Sequence, residues 1–309
     1  MGSVHQLILT LGRDEATRRA TATERPLVDI AARMLADESQ ELGITYSGFC
    51  LTALPHKKIP DTEEWTRQGH KVSLLIEPGK LPVDGTLRLY GVPYGSRARM
   101  ILLYLQTRAV IEKTPVIELG RSMNAWLSRM DIPVCGQNYR EVREQAARIS
   151  ACRLTFYWQD DRGGDLFKKD SIVSEGIRLR PDDRQGTLWQ DTVRLSETFY
   201  NSLREHPVPI WEPAVKAISG KSMSLDIYVW LAYRLHVLQR PTPITWAALH
   251  AQFGGGFKLV RQFKPEFRRA LGYALAVYPD ANVTEPDEGF GVTLFPSPPP
   301  IPEKMIGRR

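Results

Sequence analysis

Lys258, Arg261, Gln262, Lys264, Arg268 and Arg269 crowd into a short stretch whose only acid is Glu266. These side chains suit the reading of duplex DNA. Arginine makes two parallel hydrogen bonds to a guanine edge, and glutamine does the same to adenine. Lysine meets a phosphate as a point charge, which adds affinity without sequence information. Projected at ~100° per residue, Phe263, Phe267, Ala270, Leu271 and Ala274 form one apolar face. Arg261, Gln262, Arg268 and Arg269 fall opposite, with Lys258 and Lys264 nearby. Arg268 is expected to read a base and Lys258 to meet a phosphate. A helix with one apolar and one charged face is ordinarily a solvated surface helix. Nearly unmixed positive charge beside the Gly254-Gly255-Gly256 turn favours the reading face here.

A second cluster is more mixed. In 138–151, Tyr139, Val142, Ala146 and Ile149 share a face. Arg140 and Arg148 lie opposite with Glu141 and Glu144, and Arg143 flanks them. The surface-helix reading weighs equally there.

Catalytic patterns are absent from the sequence. No G-x-x-x-x-G-K-[ST] phosphate loop occurs, and the six histidines (5, 56, 70, 206, 236, 250) include no H-E-x-x-H pair. The His-hydrophobic-His metal motif of rolling-circle initiators is missing too. Asp160, Asp161, Asp165, Asp182 and Asp183 have the chemistry for Mg²⁺, but carboxylates in Gly-rich turns are ordinarily turn residues. The expectation is a binding protein: no enzyme, no cofactor, no metal.

Both clusters need elements to hold them. Ser122 caps a short helix to Met130, a turn with Pro133 and Gly136 follows, and a helix from about Asn138 to Ala151 leads into a strand, Arg153–Trp158. Asp160–Asp165 reads as a turn, with 171–179 as the return strand. Downstream, Thr245 caps a short helix, the three glycines turn, and a basic helix occupies about Lys258–Ala276. Pro265 within it places its start in doubt. Glu285–Gly289 is a turn before a strand, 291–295.

Each cluster thus sits in the same order: capped helix, turn, longer helix, strand, turn, strand. That is the winged-helix plan, twice. The fold class expected is α+β, with two tandem winged-helix domains. One spans 1–188, with an auxiliary DNA contact and dimerisation. The other spans 189–295 and is the main reader. A Pro-rich flexible tail covers 296–309. Elsewhere, Pro26 opens a helix, 72–76 and 87–90 are strands, Ser96 caps a helix to Glu112, and Ser196 caps one to Glu205. The segment from Ser222 or Ser224 through Leu235 is apolar nearly all round, so it belongs in a core. Trp126, Trp230 and Trp246 are core residues on this pattern.

The 309 residues suit two domains, and a net charge of +6 mildly favours a polyanionic partner. Cys50, Cys135 and Cys152 have no C-x-x-C neighbour, which argues against zinc and for a reducing cytoplasm. Residues 1–10 do not read as a signal peptide, and no apolar run is long enough for a bilayer.

Several runs resemble the plasmid-encoded RepA replication initiators of bacteria. They are Pro93–Met100 (PYGSRARM), Ser122–Leu127 (SMNAWL), Ser224–Leu235 (SLDIYVWLAYRL), Ile244–Leu249 (ITWAAL), Gln252–Gly254, Phe263–Phe267 and Val277–Ala281. The likeness extends over about 20–295. It implies double-stranded DNA as partner, at repeated origin sites called iterons beside an AT-rich region. It also implies self-association between monomer and autorepressing dimer, and contacts with the host initiator and the replicative helicase. By position, the helix from Lys258 would be the main iteron reader and that from Asn138 the auxiliary one. A winged-helix transcriptional repressor without origin-melting activity is the alternative.

Overall fold

A computed structural model describes residues 3–39, 41–69, 71–159, 165–175, 192–284 and 289–301. Helices and strands are mixed along it. The chain begins with α1 (Ser3–Leu11), α2 (Arg13–Arg19), α3 (Arg25–Ala36), β1 (Leu42–Tyr46) and α4 (Ser47–Leu51). It continues with β2 (Trp65–Gln68), β3 (Val72–Glu77), β4 (Gly79–Val83), β5 (Thr86–Tyr90), α5 (Gly95–Ile111), β6 (Val116–Glu118), α6 (Met123–Arg129) and α7 (Gly136–Ala151). Next come β7 (Arg153–Gln159), β8 (Asp165–Ser171), β9 (Val173–Glu175), β10 (Thr192–Leu195), α8 (Glu197–Glu205), β11 (Pro207–Trp211) and α9 (Glu212–Ala217). The last are α10 (Ser222–Arg234), a 3-10 turn at Leu235–Val237, β12 (Thr242–Thr245), α11 (Trp246–Phe253), α12 (Val260–Ala276), β13 (Val283–Thr284) and β14 (Gly291–Leu294).

The chain packs as two compact units. One is continuous, 46–207; the other joins 1–45 to 208–309. This differs from the linear division at 188/189, which itself falls outside the described residues. The cause is the apolar stripe of α3. Val28, Ile30, Ala31 and Met34 are buried, and α3 packs on α12 and α9, with α1 and α2 packed on α3. The N-terminal helices thus bury their apolar surface against C-terminal ones.

In that discontinuous unit α10 is the centre. Every residue from Ser224 to Ala232 is buried, as its all-round apolar pattern requires. The Tyr228 hydroxyl accepts a hydrogen bond from the Trp211 amide at 2.8 Å, and Trp230 meets Phe253 edge-on. β12, β14 and β13 form an antiparallel sheet in that order. Thr245 Oγ1 caps α11 by accepting from the Ala248 amide. The segment after β14 corrects the flexible-tail expectation in part. Ser297 and Ile301 are buried, and the Ser297 amide donates to Leu235 O at 3.2 Å. Residues 302–309 lie outside the described residues.

In the continuous unit α5 is the core helix, buried without a break from Ala98 to Thr107. It starts at Gly95, φ +72°, with no side-chain cap from Ser96. Ser122 and Ser196 do cap α6 and α8, accepting from Ala125 N and Phe199 N. β7 pairs with β8, so the return strand is 165–171 and not 171–179. β7 also pairs with β3, in a sheet ordered β2-β3-β7-β8. β6 sits apart, in a sheet ordered β6-β10-β9. Helix order therefore repeats between the two units, while strand pairing does not. Cys152 is buried as expected, and burial pushes its thiol up to about 12.

Candidate nucleic-acid interface

α12 separates its faces cleanly. Phe263 and Phe267 are fully buried, with Ala270, Leu271 and Ala274 beside them. Lys258, Arg261, Gln262, Arg268 and Arg269 are exposed, and Lys264 is half-buried. The helix runs through Pro265, its sixth residue. Proline forfeits one backbone hydrogen bond there, and the phenylalanines on either side are anchored in the core. The helix itself begins at Val260 and not near Lys258 as expected, so Lys258 lies two residues ahead of it.

The turn before α12 needs its glycines. A Cβ at Gly254 would lie 2.6 Å from His250 O and 2.4 Å from the His250 ring. Gly256 has φ +97°, in the left-handed region. These two residues reverse the chain tightly between α11 and α12, and His250 Nε2 lies 2.9 Å from Phe257 O across the turn.

Charge on the face is lightly balanced. Arg269 pairs with Glu266 one turn away. Lys264 and Arg268 both stand over the Trp246 indole, each 5.2 Å from the ring centroid. Trp246 is core, as its pattern suggested, but the sequence alone did not show it holding two cations. An exposed helical face of this sign and geometry suits an anionic polymer.

α7 is different, and Arg148 is a correction. It is 1 % exposed. Its Nη2 lies 2.6 Å from Asp61, its Nε 2.8 Å from Glu144, and its Nη1 donates to Val92 O. Projection put it on the charged face, but burial of a paired arginine satisfies the same pattern. It ties α7 to the 61–92 segment and is not available to DNA. Arg140 is exposed and Arg143 half-buried. Arg97 donates to Asn138 and bonds Glu141 on α7. Arg99 donates to Leu54 O, Pro55 O and Gly95 O. The PYGSRARM run therefore braces α5 against α7 and the 54–56 loop.

Both turns expected as wings fall largely outside the described residues, at 160–164 and 285–288; Asp182 and Asp183 are outside too. Among the described residues no cluster of His, Cys, Asp or Glu could hold a metal ion, and no helix is long and apolar enough to cross a membrane.

Residues 92–247 match the family model described as plasmid encoded RepA protein. The match covers half of the chain, running from the end of the β4–β5 hairpin to the start of α11. No curated protein matches. Among solved structures, a crystal structure of domains 2 and 3 of RctB, as selenomethionine derivatives, is 12 % identical with a TM-score of 0.47, over 73 % of this chain and 82 % of that one. A second, of RctB domains 2–3, is 12 % identical with a TM-score of 0.40, over 79 % and 93 %. The chain belongs to the plasmid-encoded RepA family of replication initiators.

Proposed function

We propose that this initiator acts by sequence-specific binding to duplex DNA at repeated origin sites, with α12 in the major groove. The observation that carries this is the α12 face: a buried aromatic anchor on one side and, on the other, five cationic or amide groups against one acid, with Lys258 just ahead of the helix. A recognition helix must have both sides. We further read α10, β12, α11, α12, β13 and β14 as a winged-helix module, because element order and the β12-β14-β13 sheet fit that plan. The 95–175 segment is the second module in our reading, with Arg140 and Arg143 as auxiliary contacts. Binding then supports origin opening, since bending DNA costs on the order of 1–6 kcal/mol and must be offset by contacts. Self-association, autorepression and contacts with host replication proteins belong to the same proposal, as does a role without catalysis.

The test is binding of purified protein to labelled duplexes tiling the DNA around its own gene, against random competitor at fixed salt. Competitor-resistant binding to short direct repeats supports the initiator reading. Preference for a single inverted repeat at the promoter favours a plain repressor. Equal binding everywhere removes sequence-specific recognition.

A further inference from the structure

The five cationic or amide groups on the α12 face are held in different ways. Arg261 and Gln262 occupy its first turn, exposed, with no ion-pair or hydrogen-bond partner for their side chains among the described residues. Arg269 is engaged by Glu266. Lys264 and Arg268 lie four residues apart on one row of the helix. Both stand over one indole, Trp246, which is 5 % exposed. Phe263 and Phe267, on the neighbouring row, meet the same indole near-perpendicularly, at 6.4 and 5.7 Å. Like charges at this spacing repel. The face of an indole attracts cations, and this one faces two.

The duplex needs both kinds of group. A phosphate contact gains from a cation fixed in advance, because the backbone repeats regardless of sequence. A base contact needs a fork that can align two hydrogen bonds, and recognition helices present their N-terminal residues to base edges. We infer that Trp246 is a positioning residue that fixes Lys264 and Arg268 as a preset pair of phosphate contacts, leaving Arg261 and Gln262 to read bases. This rests on the duplex-binding function proposed above, and it moves Arg268 from the base-reading role expected from sequence.

The experiment measures binding of the full chain to a random duplex and to its best-bound duplex from around its own gene, across about 50–200 mM salt. Thermal melting is followed in parallel. Trp246→Leu removes the π face and keeps an apolar side chain; Trp246→Phe keeps a π face. Each lost phosphate contact should lower the slope of log affinity against log salt by about 0.9. Trp246→Leu and Arg268→Ala should therefore flatten the slope and weaken both duplexes by the same factor, with Trp246→Phe closer to wild type. Arg261→Ala should weaken only the preferred duplex, about tenfold or more. A natively melting Trp246→Leu protein with the wild-type slope overturns the inference, as does selective loss on the preferred duplex for Arg268→Ala. If Trp246→Leu fails to fold, tetrafluorotryptophan at 246 keeps the shape and weakens the π face. An unchanged slope with it is equally fatal. Wild-type protein that binds no duplex overturns the proposed function and this inference together, whereas wild-type binding with indifferent variants overturns the inference alone.

Discussion

Arg148 and Arg140 stand two turns apart on α7 and face opposite fates. Removing Arg148 strips two carboxylates and a carbonyl of a buried partner, so Arg148→Ala should destabilise the protein by about 3 kcal/mol. Arg140→Ala, at an exposed site, should stay within roughly 0.5 kcal/mol. Denaturant unfolding of the two variants checks this, and equal losses would refute the assignment. His5 gives a pH prediction. Burial holds its imidazole below the ordinary value of 6.5; the Ala276 O, 3.1 Å from Nε2, and more weakly Asp280 act the other way. The unfolded chain therefore binds more protons just below 6.5. This contribution to stability is full above that value and is lost as pH falls toward the folded-state value. His5→Gln should have a flatter melting temperature between about pH 7.5 and 5 than wild type. At this scale the sequence revealed residue types and spacing but not burial. The Arg261 and Arg268 face was legible because its opposite side is aromatic and its charge is nearly all positive, Glu266 excepted. Arg148 was not, because its partner Asp61 lies 87 residues away.

Elements were legible where local chemistry sets them. The caps at Ser122, Ser196 and Thr245 follow from hydroxyls placed before apolar runs, and α10 from its unbroken hydrophobicity. Ser96 misled, because Gly95 in the left-handed region already starts α5. Strand pairing was hidden for a different reason. β7 takes β3 as its partner from about eighty residues upstream, and no local pattern reports that choice. The α11–α12 turn yields a sharp prediction. Gly254→Ala places a methyl against the His250 backbone carbonyl, so it should cost about 1–3 kcal/mol. Gly220→Ala, whose added methyl meets nothing within 4 Å, should cost less. Comparing the melting temperatures of the two decides it.

Along the chain, the unit 46–207 interrupts the sequence of the other, 1–45 with 208–309. The linear two-domain expectation missed this because the stripe of Leu27, Ile30 and Met34 reads as a self-contained amphipathic helix, and nothing in its spacing says that α12 is what it covers. A fragment of 208–309 should therefore fail to fold alone, and regain cooperative melting when residues 1–45 are supplied as a separate peptide. A fragment of 46–207 should melt cooperatively by itself. Circular dichroism of the three preparations tests this, and a stably folded 208–309 fragment would contradict the division.

The insertion also sets a timetable. His5 finds its backbone partner 271 residues later in the chain. At 5–20 residues per second of synthesis, the first helices wait on the order of ten seconds to a minute for α12. The inserted unit can finish while the ribosome is still working, and the helix proposed to read DNA is among the last parts to be locked in. A nascent chain cut short before α12 thus leaves α3 with its apolar stripe uncovered, a natural mark for chaperones or proteases.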